Sequence, residues 1–303
     1  MAYGTGALTA QQIADLALDK PLLVGDGAQE KITTDLQWRT TGTSAGAGDD
    51  DADFPAGMAI DRRAVDHTKP ATPTDPHYLV FGNLGSIITP FTFDMVAIIG
   101  HNMGSLGGQI DVQIADGPLF RDPTDNMITV ATFSPGDDGR LIDLTLNSGN
   151  NTYTNVDHMR IKFSGHGGAT APEIGEIYFG TRHQMPHWPQ HPWETEDTDG
   201  ARVAYFENDG GDITSYPRAG GRWRLPMTMK FPTKANADYL RNFWSDTAYG
   251  RKGLLVPEPS TTPTRFYLVG YPGGLSPPVT RAPRVVRQTL GLLESAPYWT
   301  SEQ

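Results

Sequence analysis

Short apolar runs, some of them alternating with polar residues and all separated by turn-rich segments, are the main pattern in the first part of this chain. Two runs are the clearest, Phe91–Asn102 (FTFDMVAIIGHN) and Pro172–Gly180 (PEIGEIYFG), and each has a glycine near its end. Alternation with a period of two is typical of β-strands that have one buried face. The layout predicts that the early run and the late run pair, and so close a β-sandwich.

Further runs of the same kind predict a series of strands that begins around Trp38. The run Gln109–Ala115 shows the pattern best, because Ile110, Val112 and Ile114 would share one face. Turn signals rich in glycine, asparagine and aspartate separate the runs. The predicted strands are His77–Phe81, Met95–Gly100, Gln109–Ala115, Met127–Phe133, Leu141–Leu146, His158–Phe163 and Glu173–Gly180.

Two segments near the N-terminus have a different character. A short helix is predicted over Ala10–Leu18, with Thr9 as its N-cap. Residues 43–76 are predicted to form one long polar loop, and a loop of this length is usually functional or ordered only in part.

The C-terminal residues predict a smaller β-domain that contains one helix. An apolar stripe at helical spacing includes Leu240, Phe243 and Trp244, with Thr233 as the N-cap and Gly250 as the stop. The predicted strands are Ala201–Glu207, Arg222–Lys230, Leu254–Val256, Arg265–Val269 and Arg284–Glu294.

These elements predict an all-β fold class with two domains. An N-terminal arm would cover residues 1–19 and the first β-sandwich residues 20–186. A linker stiffened by prolines would cover 187–200, and the smaller sandwich or barrel with its packed helix would cover 201–303. The 34 glycines and 24 prolines agree with a fold built from many turns and short strands.

Charge is divided unevenly between the two parts. Residues 1–200 hold 27 acidic and 11 basic residues, whereas residues 201–303 hold 8 acidic and 13 basic residues. An acidic part joined to a basic part suits head-to-tail contact between copies of the chain, although two solvated faces that differ by chance explain the division equally well. The basic residues form no dense stripe, so we expect no binding to nucleic acid.

Composition narrows the chemistry further. The chain has no cysteine, which excludes disulfides, thiolate zinc sites and cysteine nucleophiles. The N-terminus lacks the basic and apolar regions of a signal peptide, and no apolar run is long enough to span a membrane. The absence of disulfides favours assembly in a reducing cytoplasm.

Two spacings resemble metal sites. His183, His187 and His191 recur every four residues, but the prolines between them forbid the helix that would bring them together, so linker packing is the favoured interpretation. Asp49 and its neighbours at positions 51 and 53 begin like a calcium loop, but the glycine and glutamate that such a loop requires are missing. We therefore expect no metal and no cofactor.

No catalytic motif is present in the sequence. Ser164-Gly165-His166 and Gly100-His101-Asn102 lack the context of a nucleophile motif, and there is no P-loop or HExxH pattern. Carboxylates from distant loops could still form a glycosidase pair. The favoured expectation is that the chain is not an enzyme.

Aromatic residues offer one further candidate site, a platform on which a sugar could stack. The alternative, which we favour, is that Trp38 belongs to the core and that Trp188 and Trp193 anchor the linker. The candidate platform residues are Trp38, His77, Tyr78, Tyr153, Trp188 and Trp193.

Five segments in combination resemble a known family, the discoidin-like, galactose-binding-type jelly roll of bacteriophage virion proteins. They are LQWRTTGT (36–43), HYLVFGNLG (77–85), FDMVAIIGHNMG (93–104), VDHMRIKFSG (156–165) and PEIGEIYFGTRHQMP (172–186). The resemblance implies structural roles in closing the sandwich and shaping a loop. The residues that would have these roles are Trp38, Arg39, Gly100, His101, Asn102, Glu176 and Gly180.

The C-terminal domain resembles the tail-tube-like sandwich of phage tail and baseplate proteins. The resemblance rests on RWRLPMTMKF (222–231), LRNFW (240–244) and VVRQTLGLLES (285–295), and mainly on their order. In the usual distal tail protein the tube-like domain comes first, whereas here it comes second.

The resemblance implies a structural component of a phage virion, at the tail tip or baseplate, that is assembled in the host cytoplasm. Its expected partners are copies of itself in a ring, trimer or hexamer and other tail proteins. The candidate interface residues are Trp188, Trp193, Arg222, Arg224, Arg284 and Arg287. The alternative is a receptor- or carbohydrate-binding virion protein that holds a surface glycan in its jelly-roll loops, and a third class is a depolymerase.

Overall fold

The structure is a computed structural model that describes most of the first sandwich and a set of strands beyond it. In the described part of the chain, no helix is both long enough and apolar enough to cross a membrane. The described residues are 20–25, 36–42, 48–60, 66–81, 90–115, 127–146, 149, 151–156, 158–185, 196–197, 203–207, 213–217, 223–231, 253–261, 263, 266–270, 279–282 and 285–294.

Antiparallel strands dominate these residues, which confirms the predicted all-β fold class. One short 3₁₀ helix covers Ala56–Ile60. The strands are β1 (Leu22–Gly25), β2 (Leu36–Arg39), β3 (His77–Phe81), β4 (Phe91–Phe93), β5 (Met95–His101), β6 (Gln109–Ala115), β7 (Met127–Phe133), β8 (Gly139–Asp143), β9 (Tyr153–Val156), β10 (Met159–Ser164), β11 (Glu176–Gln184), β12 (Glu196–Asp197), β13 (Val203–Glu207), β14 (Ile213–Pro217), β15 (Trp223–Phe231), β16 (Gly253–Val256), β17 (Tyr267–Gly270), β18 (Val279–Ala282) and β19 (Val285–Glu294).

Two sheets enclose the main core. The five-stranded sheet has the order β2-β3-β10-β6-β7, and it faces strands β5, β8 and β11 of a ten-stranded sheet. Alternate residues of each strand point inward, so that Ile110, Val112 and Ile114 of β6 all belong to this core, as the sequence predicts. Trp38 lies in the same core and is fully buried, which confirms the favoured interpretation of that residue.

The early and late runs that stand out in the sequence are hydrogen-bonded neighbours. Strand β5 pairs with β11 in antiparallel fashion, with Ile99 opposite Glu176 and Met95 opposite Gly180. The prediction that these runs close the sandwich is confirmed.

The ten-stranded sheet continues beyond the sandwich into the C-terminal strands. Its path is β12-β15-β19-β17-β16-β1-β11-β5-β8, with β18 attached to β19. Strand β1 is the connecting strand, because Leu23 lies between His183 of β11 and Leu255 of β16. Residues from both parts of the chain therefore share one sheet, while the predicted domain boundaries stay a prediction.

A second core lies on the other face of β5, β8 and β11. The residues of β5 that point away from the main core are Met95, Ala97 and Ile99. They pack in one cluster with Leu254 and Phe266 from the C-terminal part. A sheet that is buried on both faces explains why β5 reads as a continuous apolar run rather than a strict alternation.

Some elements were missed by the sequence patterns. Strand β1 has four buried residues and no alternation, since it lies inside a sheet that is covered on both sides. Strand β9 is short and polar, and its Asn155 has a positive φ of 56°. The segment predicted as one polar loop at 43–76 contains the 3₁₀ helix, and isolated bridges join Asp50 to Pro70 and Thr68 to Ile174. The predicted helices at 10–18 and 234–249 lie outside the described residues.

Candidate functional site

Three loops cross from one sheet to the other at the same end of the sandwich. They are residues 102–108, 134–138 and 165–175, which connect β5 to β6, β7 to β8 and β10 to β11. Residues 66–76, which lead into β3, reach the same end because His77 pairs with Phe163 at the end of β10. We call these four segments the cross-bonded end.

Asn102 connects two of these loops. Its amide nitrogen donates to the carbonyl of Ala171 at 3.1 Å, and its amide oxygen accepts from the backbone N–H of Glu173 at 2.8 Å. One side chain thus satisfies a donor and an acceptor on a loop that is distant in sequence.

A second connection joins the 102–108 and 134–138 loops. The backbone N–H and the hydroxyl of Ser105 both donate to the carboxylate of Asp138, at 2.8 and 2.7 Å. The backbones also touch, because a Cβ on Gly104 would contact the carbonyl carbon of Asp137 and lie 2.6 Å from the backbone nitrogen of Asp138. Glycine is therefore required at position 104.

A third connection runs from Asp75 to the loop after β10. The two oxygens of the Asp75 carboxylate accept hydrogen bonds from the backbone N–H groups of Gly165 and Gly167, at 3.1 and 2.9 Å. Both glycines have positive φ values of 76° and 75°, a conformation that side-chain-bearing residues rarely adopt. The glycine-rich run in this loop is the only sequence signal for the connection.

A buried histidine pair lies beneath this connection. The His77 ring is fully buried, and its Nε2 is 3.2 Å from Asp49 Oδ2 and 3.0 Å from the Thr74 hydroxyl. The His166 ring stacks on it at 6.0 Å between centroids and lies 3.9 Å from Asp75 Oδ1. Burial lowers the pKa of His77, and the bond to Asp49 offsets part of that effect. No motif or spacing in the chain predicts this pair.

Two residues of the candidate aromatic platform are inside the protein. Trp38 and His77 are both fully buried and cannot stack on a sugar, in agreement with the favoured alternative that Trp38 belongs to the core. The Trp38 indole N–H donates to the Thr68 hydroxyl at 2.7 Å, which holds the segment before β3 against the core. Tyr78 lies under Arg160, and Tyr153 packs on Phe93. Trp188 and Trp193 lie outside the described residues.

The residues singled out by the resemblance lie around the closing strands. Gly100 has a positive φ of 70° and precedes His101, which is buried and has its pKa lowered to about 4 by that burial. Glu176 is fully buried opposite Ile99. Arg39 is 2% exposed, its Nη2 donates to the Gln37 amide oxygen at 2.6 Å, and burial lowers its pKa.

Gly180 permits a close approach between strands β11 and β1. A Cβ at this position would contact Val24 Cγ1 and lie 2.6 Å from the carbonyl oxygen of Gly25. The position therefore needs glycine for packing, and the packing joins the sandwich to the connecting strand.

Of the candidate interface residues, only two lie on described backbone. Arg224 of β15 is opposite Leu293, and Arg287 of β19 is opposite Lys230. The other four candidate interface residues lie outside the described residues; they are Trp188, Trp193, Arg222 and Arg284. Two members of the histidine spacing, His187 and His191, lie outside them as well.

The acidic residues of the calcium-like spacing are held by local hydrogen bonds. Asp49 accepts from Thr72 and His77, and Asp51 accepts from the backbone N–H of Asp53 at 2.9 Å. In the described part of the chain, no three His, Asp or Glu side chains converge closely enough to hold a metal ion.

Comparisons with known proteins give matches only among solved structures. No family model and no curated protein matches the chain. Chitosan-binding module 1 of a chitosanase/glucanase from Paenibacillus sp. IK-5 is 18% identical, with 49% of this chain and 96% of that chain covered and a TM-score of 0.34. A family 32 carbohydrate-binding module of NanJ from C. perfringens, in complex with galactose, is 14% identical, with coverages of 52% and 98% and a TM-score of 0.30. XRCC1, bound to the catalytic domain of DNA polymerase β, is 10% identical, with coverages of 49% and 99% and a TM-score of 0.32. At these scores the matches assign neither a family nor a ligand.

Proposed function

We propose that this protein is a non-catalytic binding protein that holds a glycan at the cross-bonded end. The observation that carries the proposal is the set of three connections among four loops, made by Asn102, Ser105–Asp138 and Asp75. A ligand that meets such loops does not have to order them, so little binding energy is lost to entropy.

The exposed groups of this end have the chemistry that sugar hydroxyls require. Five exposed side chains offer hydroxyl and carboxylate oxygens on a backbone that the connections hold. They are Thr72, Thr74, Ser105, Asp137 and Thr170. Loops at one end of a sandwich are a common place for ligand binding, because the sheets hold them in position.

A non-catalytic role agrees with the chemistry beneath these loops. The buried histidines contact aspartate, threonine and each other, and among the described residues neither has a serine hydroxyl within hydrogen-bond reach to serve as a nucleophile. These two histidines are buried under the loops rather than exposed to a substrate.

A glycan array with the full-length protein tests this proposal. We expect binding to at least one glycan, weakened roughly tenfold by Asp137→Ala or Thr170→Ala, because each removes one exposed hydrogen-bonding group. The matched control is Thr154→Ala, an exposed residue of β9 at the opposite end of the sandwich, which should bind as the wild type does. An array without hits, or hits that survive both substitutions, would contradict the proposal.

A second candidate function is the structural virion role that the sequence resemblance implies. The observation that favours it is the ten-stranded sheet, which carries hydrogen bonding without interruption from β8 to β12 through the connecting strand β1. A sheet of this kind holds distant surfaces in a set geometry, as the subunits of a symmetric assembly require. The division between an acidic and a basic part of the chain would give such subunits two complementary patches.

Native mass spectrometry and electron microscopy of the purified protein test the second candidate. It predicts rings or other symmetric oligomers that dissociate as salt is raised, together with binding to tail proteins and a place in the virion tail. A protein that stays monomeric at high concentration and joins no tail protein would count against it. Glycan binding without oligomers would favour the first proposal, and oligomers without glycan binding would favour the second.

A further inference from the structure

The outer face of the five-stranded sheet carries two rows of residues that cross all five strands and are polar except for the buried Val80. These rows are formed by the residues that alternate with the core residues of each strand. In register across β2, β3, β10, β6 and β7, the first row is Arg39, Tyr78, Lys162, Asp111 and Thr132, and the second is Gln37, Val80, Arg160, Gln113 and Thr129. We call these ten residues the cationic face.

The charges of this face oppose those of the surrounding sequence. Three of its residues are cations, Lys162, Arg160 and Arg39, and one, Asp111, is an anion. Lys162 is partly exposed, whereas both arginines and Asp111 are buried, and Asp50 offsets part of the charge of Arg39. Residues 1–200 as a whole carry 27 acidic and 11 basic residues. The balance of charge on this face is therefore more positive than in the surrounding sequence. An anion that approaches this part of the chain is attracted to this face more than to its surroundings.

Arg160 is held firmly in place at the centre of the face. Its Nε donates to the Gln113 amide oxygen at 2.7 Å, its Nη1 donates to the Gly42 carbonyl at 2.5 Å, and its guanidinium lies 5.1 Å from the centroid of the Tyr78 ring. A Cβ on Gly42 would lie 2.9 Å from Arg160 Cζ, so residue 42 must be glycine for this arrangement. The positive charge and the ring are therefore preorganised.

Lys162 lies beside this arrangement, and its charge is available to a ligand. It is directly opposite Tyr78 on one side and Asp111 on the other. The Asp111 carboxylate is engaged by Gln109 Nε2 at 2.8 Å and by the Thr132 hydroxyl at 2.9 Å. Within the described residues the Lys162 ammonium makes no hydrogen bond or ion pair, although it is partly exposed.

We propose that the cationic face binds the carboxylates of an acidic glycan, with Lys162 as the central contact and the Tyr78 hydroxyl as a second donor. The site is separate from the cross-bonded end and does not depend on binding there. An ammonium and a phenol hydroxyl that are neighbours on adjacent strands can donate to the two oxygens of one carboxylate. The locked Arg160 adds a positive field without needing to move.

The side chains around Lys162 favour a glycan over a peptide or a free anion. Gln37, Gln113 and Thr132 are partly exposed and present amide and hydroxyl groups in the same two rows. The Gln37 and Gln113 amide oxygens accept from the two arginines and the Thr132 hydroxyl donates to Asp111, and their remaining N–H groups and lone pairs can pair with sugar hydroxyls. The exposed side chains lie along strands, so they can meet an extended chain that repeats its carboxylate.

Polygalacturonate and its methyl-esterified form provide a matched pair of probes, because they share the sugar backbone and esterification replaces the carboxylate charge with a neutral methyl ester. We expect the full-length protein to bind polygalacturonate in calorimetry or affinity electrophoresis, and the methyl ester at least tenfold more weakly. Added salt should weaken binding of the acid, because the contact is electrostatic. Citrate and phosphate serve as small-anion probes, and they should compete only at far higher concentrations than the polymer.

Two substitutions locate the site. Lys162→Gln should weaken binding of polygalacturonate by tenfold or more, since a hydrogen bond to a charged group is lost. Tyr78→Phe keeps the ring beneath Arg160 and should weaken binding by a smaller factor. The matched control is Lys20→Gln, which removes the same charge from a partly exposed lysine just before β1, outside both the cationic face and the cross-bonded end, and should leave binding unchanged.

The outcomes separate this proposal from the proposed function. Three results would overturn the proposal that the cationic face binds an acidic glycan, whatever the glycan array shows. They are equal binding of the acid and the ester, no binding of the acid, and binding by Lys162→Gln that equals that of the wild type. Loss of binding in Lys20→Gln as well would show a general charge effect and would also overturn it. Circular dichroism and thermal melts of each variant confirm that folding is retained, and Tyr78→Phe provides an independent readout if Lys162→Gln does not fold.

Discussion

Arg140 and Phe266 join the two parts of the chain. The Arg140 Nη1 on β8 donates to the carbonyl oxygen of Phe266 at 2.7 Å, and its guanidinium lies 5.7 Å from the centroid of the Phe266 ring. Phe266 in turn packs in the second core with residues of β5 and β11. The C-terminal part is thus held by a hydrogen bond, by packing and by the shared sheet, so variants at this junction should report on both parts.

The close approach at Gly180 predicts a sensitive site. Gly180→Ala would place a methyl group against Val24 and 2.6 Å from the Gly25 carbonyl oxygen, and the backbone cannot yield easily. We expect a loss of about 1–3 kcal/mol in the free energy of unfolding, measured by denaturant titration. Gly136→Ala is the control, because a Cβ there meets nothing within 4 Å and its φ is not in the left-handed region. Equal effects of the two substitutions would refute the packing argument.

Asn102 should stabilise the cross-bonded end through its two hydrogen bonds. Asn102→Ala removes both and leaves the Ala171 carbonyl and the Glu173 N–H without that partner, so we expect a loss of about 1–3 kcal/mol. Hydrogen exchange should show faster exchange in residues 165–175. Asn151→Ala is the control, because Asn151 is exposed and its amide donates only a long bond of 3.5 Å, to the Tyr153 hydroxyl, within the described residues. Unchanged exchange in that loop would show that the connection does not hold it.

Acidic pH should destabilise the fold through His101. Its pKa is about 4 in the folded protein and about 6.5 when unfolded, so the unfolded state binds the proton more readily. The contribution is present above pH 6.5 and is lost as pH falls towards 4, up to about 3 kcal/mol. Asp138 is the charged group that faces His101, and its charge opposes part of the shift.

Stability measured from pH 7.5 to 4 in wild type and His101→Gln checks this prediction. The variant should be less stable at neutral pH, because Met103 N–H loses its bond to Nδ1, but its stability should fall less steeply with acid. His67→Gln, at a partly exposed position, is the control and should keep the wild-type slope. Parallel slopes for wild type and His101→Gln would show that His101 does not carry the pH dependence.

The Trp38–Thr68 hydrogen bond should be needed for stability. Thr68→Val keeps the size of the side chain but leaves the buried indole N–H without its acceptor, so we expect a loss of about 1–3 kcal/mol. Urea titration followed by tryptophan fluorescence measures it. Thr154→Val, an exposed strand position, should change stability by less than about 0.5 kcal/mol. A neutral Thr68→Val would mean that the indole finds another acceptor.

Much of the sandwich could be predicted from local patterns, and much of the site could not. Strands β6 and β7 have the predicted bounds, because each has one face in the core. The core residues of β6 alternate along the strand, whereas a register shift in the pairing puts the neighbouring Val130 and Ala131 of β7 both in the core. The stacked pair His77 and His166 could not be predicted, since its members are far apart in sequence and neither belongs to a recognisable motif. The same holds for Asp75, whose partners are backbone N–H groups that any residue carries.

The sequence by itself determined that the chain is all-β, that Trp38 belongs to the core and that the runs around Met95–His101 and Glu176–Gln184 pair. These features follow from alternation and burial, which are local properties of a strand. Only the tertiary structure decided that β1 joins the sandwich to β16, and that Arg160 locks over Tyr78 beside Lys162. Such pairings depend on register and on hydrogen bonds between distant segments, and neither leaves a periodic trace in the chain.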